Sequence, residues 1–317
     1  MKPFRSKPQS PYAGYANKPF SVARRRRVAA AWTLFGVAII AVVAIAVVDS
    51  FFPMLRVVTV EVPGLSREID VLQVTDLGSR EFGSQQSGLS RLLRGKQFDT
   101  IVLTGDMLTD DQSDTGRFQA VWDLGGALRL NSNRIWYLPG NHDTTDLGQQ
   151  LTQYGVSTLP TDTAVPLVSA DASGTQAALV YGASSATIAS ARGTGAKLLV
   201  IASHTPPDVN RLAAGRTLGS GVHLFIAGHT HGGQVRLPFI GALVAPMSWV
   251  GEQRAPVFGT EVTILPDLRG RMVDGMYERD GQKVYVSTGL DIRVIPLRFL
   301  DRAEMVEYRF VPSGAKR

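Results

Sequence analysis

Five apolar segments of this chain end in residues of the kind that bind metal ions. Short apolar runs that alternate with helical patterns are typical of core strands in an α/β fold. The residues that follow the runs are Asp76, Asp106, Asn141, His204 and the pair His229 and His231. Because open α/β sheets bind ligands beyond the carboxyl ends of their strands, we expect these side chains to meet at one edge.

The most informative of these ends is the stretch from Ile226 to Gln234. The apolar run Val222–Ala227 stops there at His229 and His231, which lie between glycines, and the whole chain has only five histidines. Glycine permits a sharp turn and a close approach of the backbone to a ligand. Imidazole is a common ligand of zinc, iron and manganese. Two ordinary loop histidines are the alternative interpretation, since short motifs match by chance.

Each remaining side chain also has an ordinary structural interpretation. Asp106 follows Gly105 and fits a turn, Asn141 fits a helix cap, and His204 fits a loop. Because such residues recur at the ends of several strands, we favour the interpretation that they belong to one binding site. Six oxygen and nitrogen donors at one edge suit two divalent ions, held roughly 3.5–4 Å apart by a shared carboxylate.

A second feature is an uncharged run of 21 residues at positions 28–48, which matches the roughly 20 residues that span a bilayer. Eight basic and no acidic residues precede it. The positive-inside rule therefore predicts a cytoplasmic N-terminus and an extracytoplasmic domain in the cell membrane. A cleaved signal peptide, with Ala44-Ile45-Ala46 as its site, and twin-arginine export are the alternatives. We favour an uncleaved anchor, because the run is long and lacks a polar end.

The charge distribution argues against nucleic acid as a partner. The net charge of +6 comes from the basic tail, so the rest of the chain is close to neutral. The chain has no cysteine, which excludes disulfides and thiolate metal sites. The predicted organisation is a disordered basic tail at 1–27, a transmembrane helix at 28–48 and a globular domain at 56–317.

The apolar patterns also predict individual elements. Strands are predicted at 57–62, 69–75, 100–104, 135–138, 177–181, 197–201 and 222–227, and helices at 86–93, 115–130 and 147–154. Two further strands, 282–287 and 305–310, are predicted to close a second sheet, and residues 235–280 to form loops over one face.

Taken in order, the strand-end blocks resemble the calcineurin-like metallophosphoesterase family. The matching blocks are Asp76-Leu77-Gly78, Gly105-Asp106, Gly140-Asn141-His142-Asp143, Ser203-His204 and Gly228-His229-Thr230-His231. The resemblance runs from about Val57 to the C-terminus, and its Gly-Asn-His-Asp and Gly-His-x-His blocks are the most specific. Residues 232–234, 286–290 and 296–299 resemble the bacterial membrane-anchored or exported branch.

This resemblance implies a four-layer αββα sandwich and two divalent metal ions, manganese, iron or zinc. Asp106 would bridge the ions, with Asp76 and His231 completing the first site. Asn141, His204 and His229 would complete the second site, and His142 would act near the leaving group as a general acid or as a cation that stabilises the transition state. The substrate would be a phosphorylated small molecule or an envelope lipid. The bond that is hydrolysed would be that of a phosphomonoester, a phosphodiester or a pyrophosphate.

The sequence departs from the family at Gly78, where the family has a metal-binding histidine. Water could fill the gap, a carboxylate such as Glu81 could replace the imidazole, or the first site could be empty. Ser79 is the other neighbouring candidate. We expect an altered but working hydrolase; the alternative is an impaired membrane protein that binds a phosphorylated ligand. The family's acid that orients the catalytic histidine also has no clear match, because Thr109 stands there and Asp110 lies one residue further on.

Overall fold

The computed structural model describes residues 22–109, 116–169, 176–207, 221–246, 262–264, 271–279, 281–292 and 296–314. The chain divides into two compact units, residues 1–44 and 45–317. The helices are α1 Val22–Phe51, α2 Ser87–Leu92, α3 Arg117–Leu128, α4 Leu147–Leu151 and α5 Ser185–Gly193. Single 3-10 turns cover Ser84–Gln86, Thr152–Tyr154 and His231–Gly233.

The strands are short and follow the apolar runs of the sequence. They are β1 Met54–Val62, β2 Ile69–Val74, β3 Thr100–Leu103, β4 Ile135–Tyr137, β5 Val156–Thr158, β6 Val165–Pro166, β7 Ala177–Tyr181, β8 Leu198–Ala202, β9 Val222–Ala227, β10 Arg236–Leu237, β11 Gly241–Ala242, β12 Val244–Pro246, β13 Val262–Ile264, β14 Gly275–Arg279, β15 Gln282–Val286 and β16 Glu304–Pro312.

Helix α1 is long and apolar enough to cross a membrane, a property that a signal sequence near an N-terminus shares. It contains the whole of the predicted span at 28–48. It also begins earlier than expected, at Val22, so Arg24–Arg27 are helical rather than part of a disordered tail. Arginine is a good helix former, so the basic residues extend the helix. Residues 1–21 of the predicted tail lie outside the described residues.

Two six-stranded sheets form the core of the larger unit. Their strand orders are β1-β16-β2-β3-β4-β5 and β14-β15-β9-β8-β7-β6. Strands β2, β3, β4 and β5 are parallel, as are β7, β8, β9 and β15. Parallel strands with helices or a second sheet on both faces are buried throughout, which is why their sequences are continuous apolar runs.

The two sheets pack face to face, and helices cover their outer faces. Between the sheets, Val71 and Val102 share one buried cluster with Leu179 and Leu224. On the outer face of the first sheet, a second cluster joins β2 and β3 to α2 and α3 through Leu72, Leu103, Leu89 and Val121. On the outer face of the second sheet, a third cluster includes Ile201, Phe225 and Ala191 of α5. The predicted αββα sandwich is therefore confirmed.

Some predictions of individual elements were wrong or incomplete. The segment predicted at 305–310 belongs to the first sheet, where β16 lies between β1 and β2. A strand that is buried on both faces has the same continuous apolar sequence in either sheet. The sequence therefore does not show which strand it pairs with. The region predicted as loops at 235–280 contains the strands β10 to β14, and the strands β5 and β6 and helix α5 were missed. Its signal was Ser184, whose hydroxyl caps the helix by accepting from the Thr187 N–H.

A buried glutamine fixes the two sheets against each other. The side-chain amide of Gln73 on β2 donates to the Ala227 carbonyl at the end of β9 (3.1 Å) and to the Thr104 hydroxyl (2.8 Å). Its carbonyl oxygen accepts from the Tyr308 hydroxyl on β16 (2.6 Å). Because every buried polar group in this network has a partner, the network favours one alignment of the sheets.

A buried arginine organises the loop before β16. Arg298 is fully buried, and its guanidinium donates to the Asp291, Thr288 and His231 carbonyls and to the Asp301 carboxylate (3.0 Å). Its backbone N–H donates to the Ser50 hydroxyl (2.6 Å). One side chain thus joins the chain segments after β9 and β15.

We expect Arg298→Met to destabilise the protein by about 3–5 kcal/mol, since it leaves a buried carboxylate and several carbonyls without their donor. Thermal unfolding of the full chain in detergent measures this loss. Arg94→Met is the control, because Arg94 is exposed and exposed substitutions change stability by roughly 0.5 kcal/mol or less. Equal melting temperatures for the two variants would contradict the bracing role of Arg298.

Candidate metal centre

The six predicted ligands come together at neighbouring edges of the two sheets. Asp76, Asp106 and Asn141 follow β2, β3 and β4 of the first sheet, and His204, His229 and His231 follow β8 and β9 of the second. These are the carboxyl ends of parallel strands in both sheets, and the packing of the sheets brings the two edges together. The site is therefore built by both halves of the sandwich.

The ligand atoms form two clusters that share one carboxylate. Asp76, Asp106 and His231 make the first cluster, and Asp106, His204 and His229 make the second. Within each cluster the donor atoms lie within 4.8 Å of one another, and all five residues are buried. Two carboxylates and one imidazole, or one carboxylate and two imidazoles, are donor sets that suit a divalent ion.

The orientation of His204 shows which of its nitrogens faces the second cluster. Its Nδ1 lies 2.9 Å from the Thr104 carbonyl, which can only accept, so Nδ1 carries the proton. Its Nε2 lies 3.0 Å from Asn141 Oδ1 and 3.2 Å from Asp106 Oδ2. His229 Nδ1 is 3.0 Å from the same Nε2. Four nitrogen and oxygen atoms that can bind a metal ion, each from a different loop, therefore lie close together around His204 Nε2.

The electrostatics of the centre are those of a site that attracts a cation. Burial, together with the Asp106 carboxylate, raises the pKa of Asp76 to about 7. Burial alone would lower the pKa of His204, but its hydrogen bond to Asp106 and the charges of Asp106 and Asp76 raise it to about 9. Burial and the neighbouring Asp106 charge disfavour the ionised form of Asp76, and a bound cation would favour it.

The backbone of four ligands is in the left-handed region. The φ angles are 51° at Asp76, 54° at Asp106, 70° at His229 and 49° at His231. Asp and His enter this region more readily than most residues, at a cost of roughly 1–3 kcal/mol each. The conformation turns each side chain into the centre directly after its strand, and such strain is concentrated at functional sites.

Gly228 allows β9 to end against the first sheet. A Cβ atom at this position would overlap the Thr75 hydroxyl and the Asp76 carboxylate. The next residue, His229, donates its backbone N–H to both oxygens of Asp76 (3.2 and 3.1 Å). The glycine before the first histidine therefore has a packing reason, as the sequence pattern indicated.

His142 lies at the rim of the two clusters. Its backbone N–H donates to Asp106 Oδ1 (3.0 Å), and its ring Nε2 is 3.8 Å from Asp106 Oδ2. The ring is 13% exposed, whereas the five residues of the two clusters are buried. Asp110, a possible orienter of this ring, lies outside the described residues.

Sequence reasoning assigned no role to Asp143, although it belongs to the Gly-Asn-His-Asp block. Its carboxylate accepts from the Met107, Leu108 and Gly140 N–H groups and from the Tyr137 hydroxyl. It therefore ties the loop after β3, which carries Asp106, to the loop after β4. The Gly-Asn-His-Asp block could have indicated a role for Asp143, because its other two polar residues, Asn141 and His142, were already assigned to the site.

The two substitutes suggested for the missing histidine do not lie in the centre. The Ser79 hydroxyl accepts from the Thr109 N–H (3.0 Å), and Glu81 is exposed. Position 78 itself is a glycine with a φ of 57°.

Comparison with known proteins gives the family. The calcineurin-like phosphoesterase profile matches residues 69–233, slightly more than half of the chain and all six candidate ligands. An uncharacterized metallophosphoesterase of Bacillus subtilis (strain 168), YkuE, is 33% identical over 96 residues; this region is 30% of the chain and 27% of the relative. The nuclease MPE of Pseudomonas putida aligns in structure over 71% of this chain and 76% of its own, with 16% identity and a TM-score of 0.33. From the profile match, the chain belongs to the calcineurin-like phosphoesterase family.

Proposed function

We propose that this protein is a metal-dependent phosphoesterase with two divalent ions in its centre. The observation that carries this proposal is the pair of clusters joined by the Asp106 carboxylate. The ions are manganese, iron or zinc, since the donors are oxygen and nitrogen and the chain has no thiolate to offer. Asp76 and His231 would hold the first ion with Asp106. Asn141, His204 and His229 would hold the second ion with Asp106.

Two bound cations supply the Lewis acidity that lowers the pKa of water and balances charge on a phosphoryl group. The protein side chains fix the geometry for this chemistry. Thr104 orients His204 through its carbonyl (2.9 Å), and the His229 N–H holds the Asp76 carboxylate. His142, at the rim, donates a proton to the departing oxygen of the ester.

We further propose that the protein is anchored in the cell membrane with its centre outside the cytoplasm. The basic residues before α1 and the length of the uncharged run support this topology. A tethered enzyme in that place would reach phosphorylated lipids or small molecules of the envelope. The alternative is a protein that binds a phosphorylated ligand without turnover, which the glycine at position 78 favours.

The first prediction from this proposal concerns His142. We expect His142→Gln to lower kcat for bis(p-nitrophenyl) phosphate by roughly 10²–10⁴-fold, the usual contribution of a general acid, while metal content stays at the wild-type value. Stopped assays of the full chain in detergent with Mn²⁺ measure the rate. A variant with the wild-type kcat would exclude His142 as the acid. Bound metal without turnover in the wild type would favour the ligand-binding alternative.

The shared carboxylate gives a second prediction. Because Asp106 belongs to both clusters, Asp106→Asn should lose both ions, whereas His229→Ala should lose only the second. Elemental analysis of the full chain after dialysis gives the number of ions per chain. His223→Ala is the matched control, since His223 is a buried histidine on β9 that belongs to neither cluster. Loss of one ion in both Asp106→Asn and His229→Ala would contradict a bridging role.

The absence of cysteine allows a direct test of topology. A single introduced cysteine is the only thiol in the chain. Labelling of intact cells with a membrane-impermeant maleimide therefore shows on which side of the membrane that cysteine lies. We expect labelling of Arg94→Cys, an exposed position of the larger unit, in intact cells with a permeable outer layer. Lys18→Cys, before the span, should label only after lysis. The reverse pattern would overturn the proposed orientation, and an intact mass without residues 1–46 would indicate a cleaved signal.

A further inference from the structure

The space beside Gly78 is filled by a carboxylate from a distant part of the chain. A Cβ atom built on Gly78 would overlap the carboxyl carbon and both oxygens of Asp291. Asp291 is only 6% exposed, and it follows β15 by five residues. An acidic side chain therefore occupies the place from which a side chain at position 78 would extend.

The backbone holds Asp291 beside the first cluster. The N–H of Leu290 donates to the Thr75 and Asp76 carbonyls (3.2 and 3.1 Å). The carbonyl of Asp291 accepts from Nε and Nη2 of Arg298 (2.9 and 2.6 Å). A Cβ on Gly289 would lie 2.7 Å from the Cβ of Asp76. The segment is thus packed against the strand end that carries Asp76.

We propose that Asp291 is a ligand of the first metal ion and supplies the donor that position 78 lacks. This inference rests on the proposed dinuclear function. The first cluster contains three converging donors, from Asp76, Asp106 and His231. Asp291 lies beside Gly78 and follows Leu290, whose N–H is bonded to the Asp76 carbonyl, so a rotation of the Asp291 side chain on metal binding would bring a fourth donor to the ion.

The exchange of an imidazole for a carboxylate changes the chemistry of the first site. The donors become three carboxylates and one imidazole, which adds a negative charge and a hard oxygen. Compared with a site that contains the histidine, this donor set shifts the preference of the first site from zinc towards manganese.

A competing interpretation makes Asp291 only a counter-ion of Arg80. Burial lowers the pKa of Arg80 to about 10, and the charge of Asp291 acts against that shift. The Arg80 guanidinium donates to the Leu290 and Ser50 carbonyls (2.5 and 2.8 Å). A purely structural partner of Arg80 would affect thermal stability without changing the number of bound ions, so metal content separates the two roles.

The backbone at position 78 allows a reciprocal exchange. Its φ of 57° is close to those of Asp76 and His231, which both carry side chains there. A histidine at this position would bear the same backbone strain as those two residues, and the Asp291 carboxylate is the steric obstacle to its side chain. Gly78→His combined with Asp291→Gly should move the donor back to position 78 and leave the site filled.

The experiment counts Mn²⁺ ions on the full chain in detergent, after removal of metal with a chelator and reconstitution with Mn²⁺ alone. Elemental analysis gives the stoichiometry, and electron paramagnetic resonance distinguishes a spin-coupled pair from a single ion. We expect two coupled ions in the wild type. In Asp291→Asn, we expect one uncoupled ion, or a Kd for the first site that is at least about tenfold weaker.

Asp301→Asn is the matched control. Asp301 is also a buried acid beside Arg298, with 3.0 Å between Arg298 Nη1 and its carboxylate. This variant should keep two coupled ions. Loss of the same ion in Asp301→Asn would mean that packing of the loop, and not the carboxylate of Asp291, holds the metal, and it would overturn the proposal.

The double variant keeps the test decisive if Asp291→Asn folds poorly. Gly78→His with Asp291→Gly should bind two coupled ions, and Asp291→Gly alone should bind one. Two ions with wild-type affinity in Asp291→Gly or Asp291→Asn would overturn the proposal. One ion in the wild type would also overturn it while leaving a mononuclear enzyme. No ion in the wild type would instead overturn the proposed function.

Discussion

Two buried carboxylates that lie close together are the constraint on which this structure depends. Asp76 and Asp106 belong to the same cluster, and both are completely buried. Burial, together with the Asp106 charge, raises the pKa of Asp76, and the two carboxylates raise the pKa of His204 against the effect of its burial. A protein keeps such an arrangement at a cost in stability, so it is expected where a cation is to be bound.

The arrangement also requires the two sheets to meet in one alignment. The Gln73 network and the His229 N–H bonds to Asp76 both cross from the first sheet to the second. Shifting one sheet by a residue would break these bonds and separate His204 from Asp106. The polar contacts between the sheets therefore set the distance between ligands as well as the packing of the core.

Much of this was readable from the sequence because the relevant signals are local. Apolar runs predicted the core strands, and the polar residues directly after them are the ones that the two sheets bring together. What the sequence did not reveal depends on contacts between distant segments. The position of β16 between β1 and β2 is one example, and the carboxylate of Asp291 beside Gly78 is another. Neither residue 291 nor residue 78 carries a local pattern that points to the other.

The placement of β16 has a consequence for how the protein is made. This strand pairs in parallel with β1 over nine residues and antiparallel with β2, about 250 and 240 positions earlier in the chain. Until residue 312 has been synthesised, β1 has no partner in the first sheet. Long-range pairing of this kind forms late and slowly. A chain that is synthesised from its N-terminus therefore completes its first sheet only after the last strand has been made.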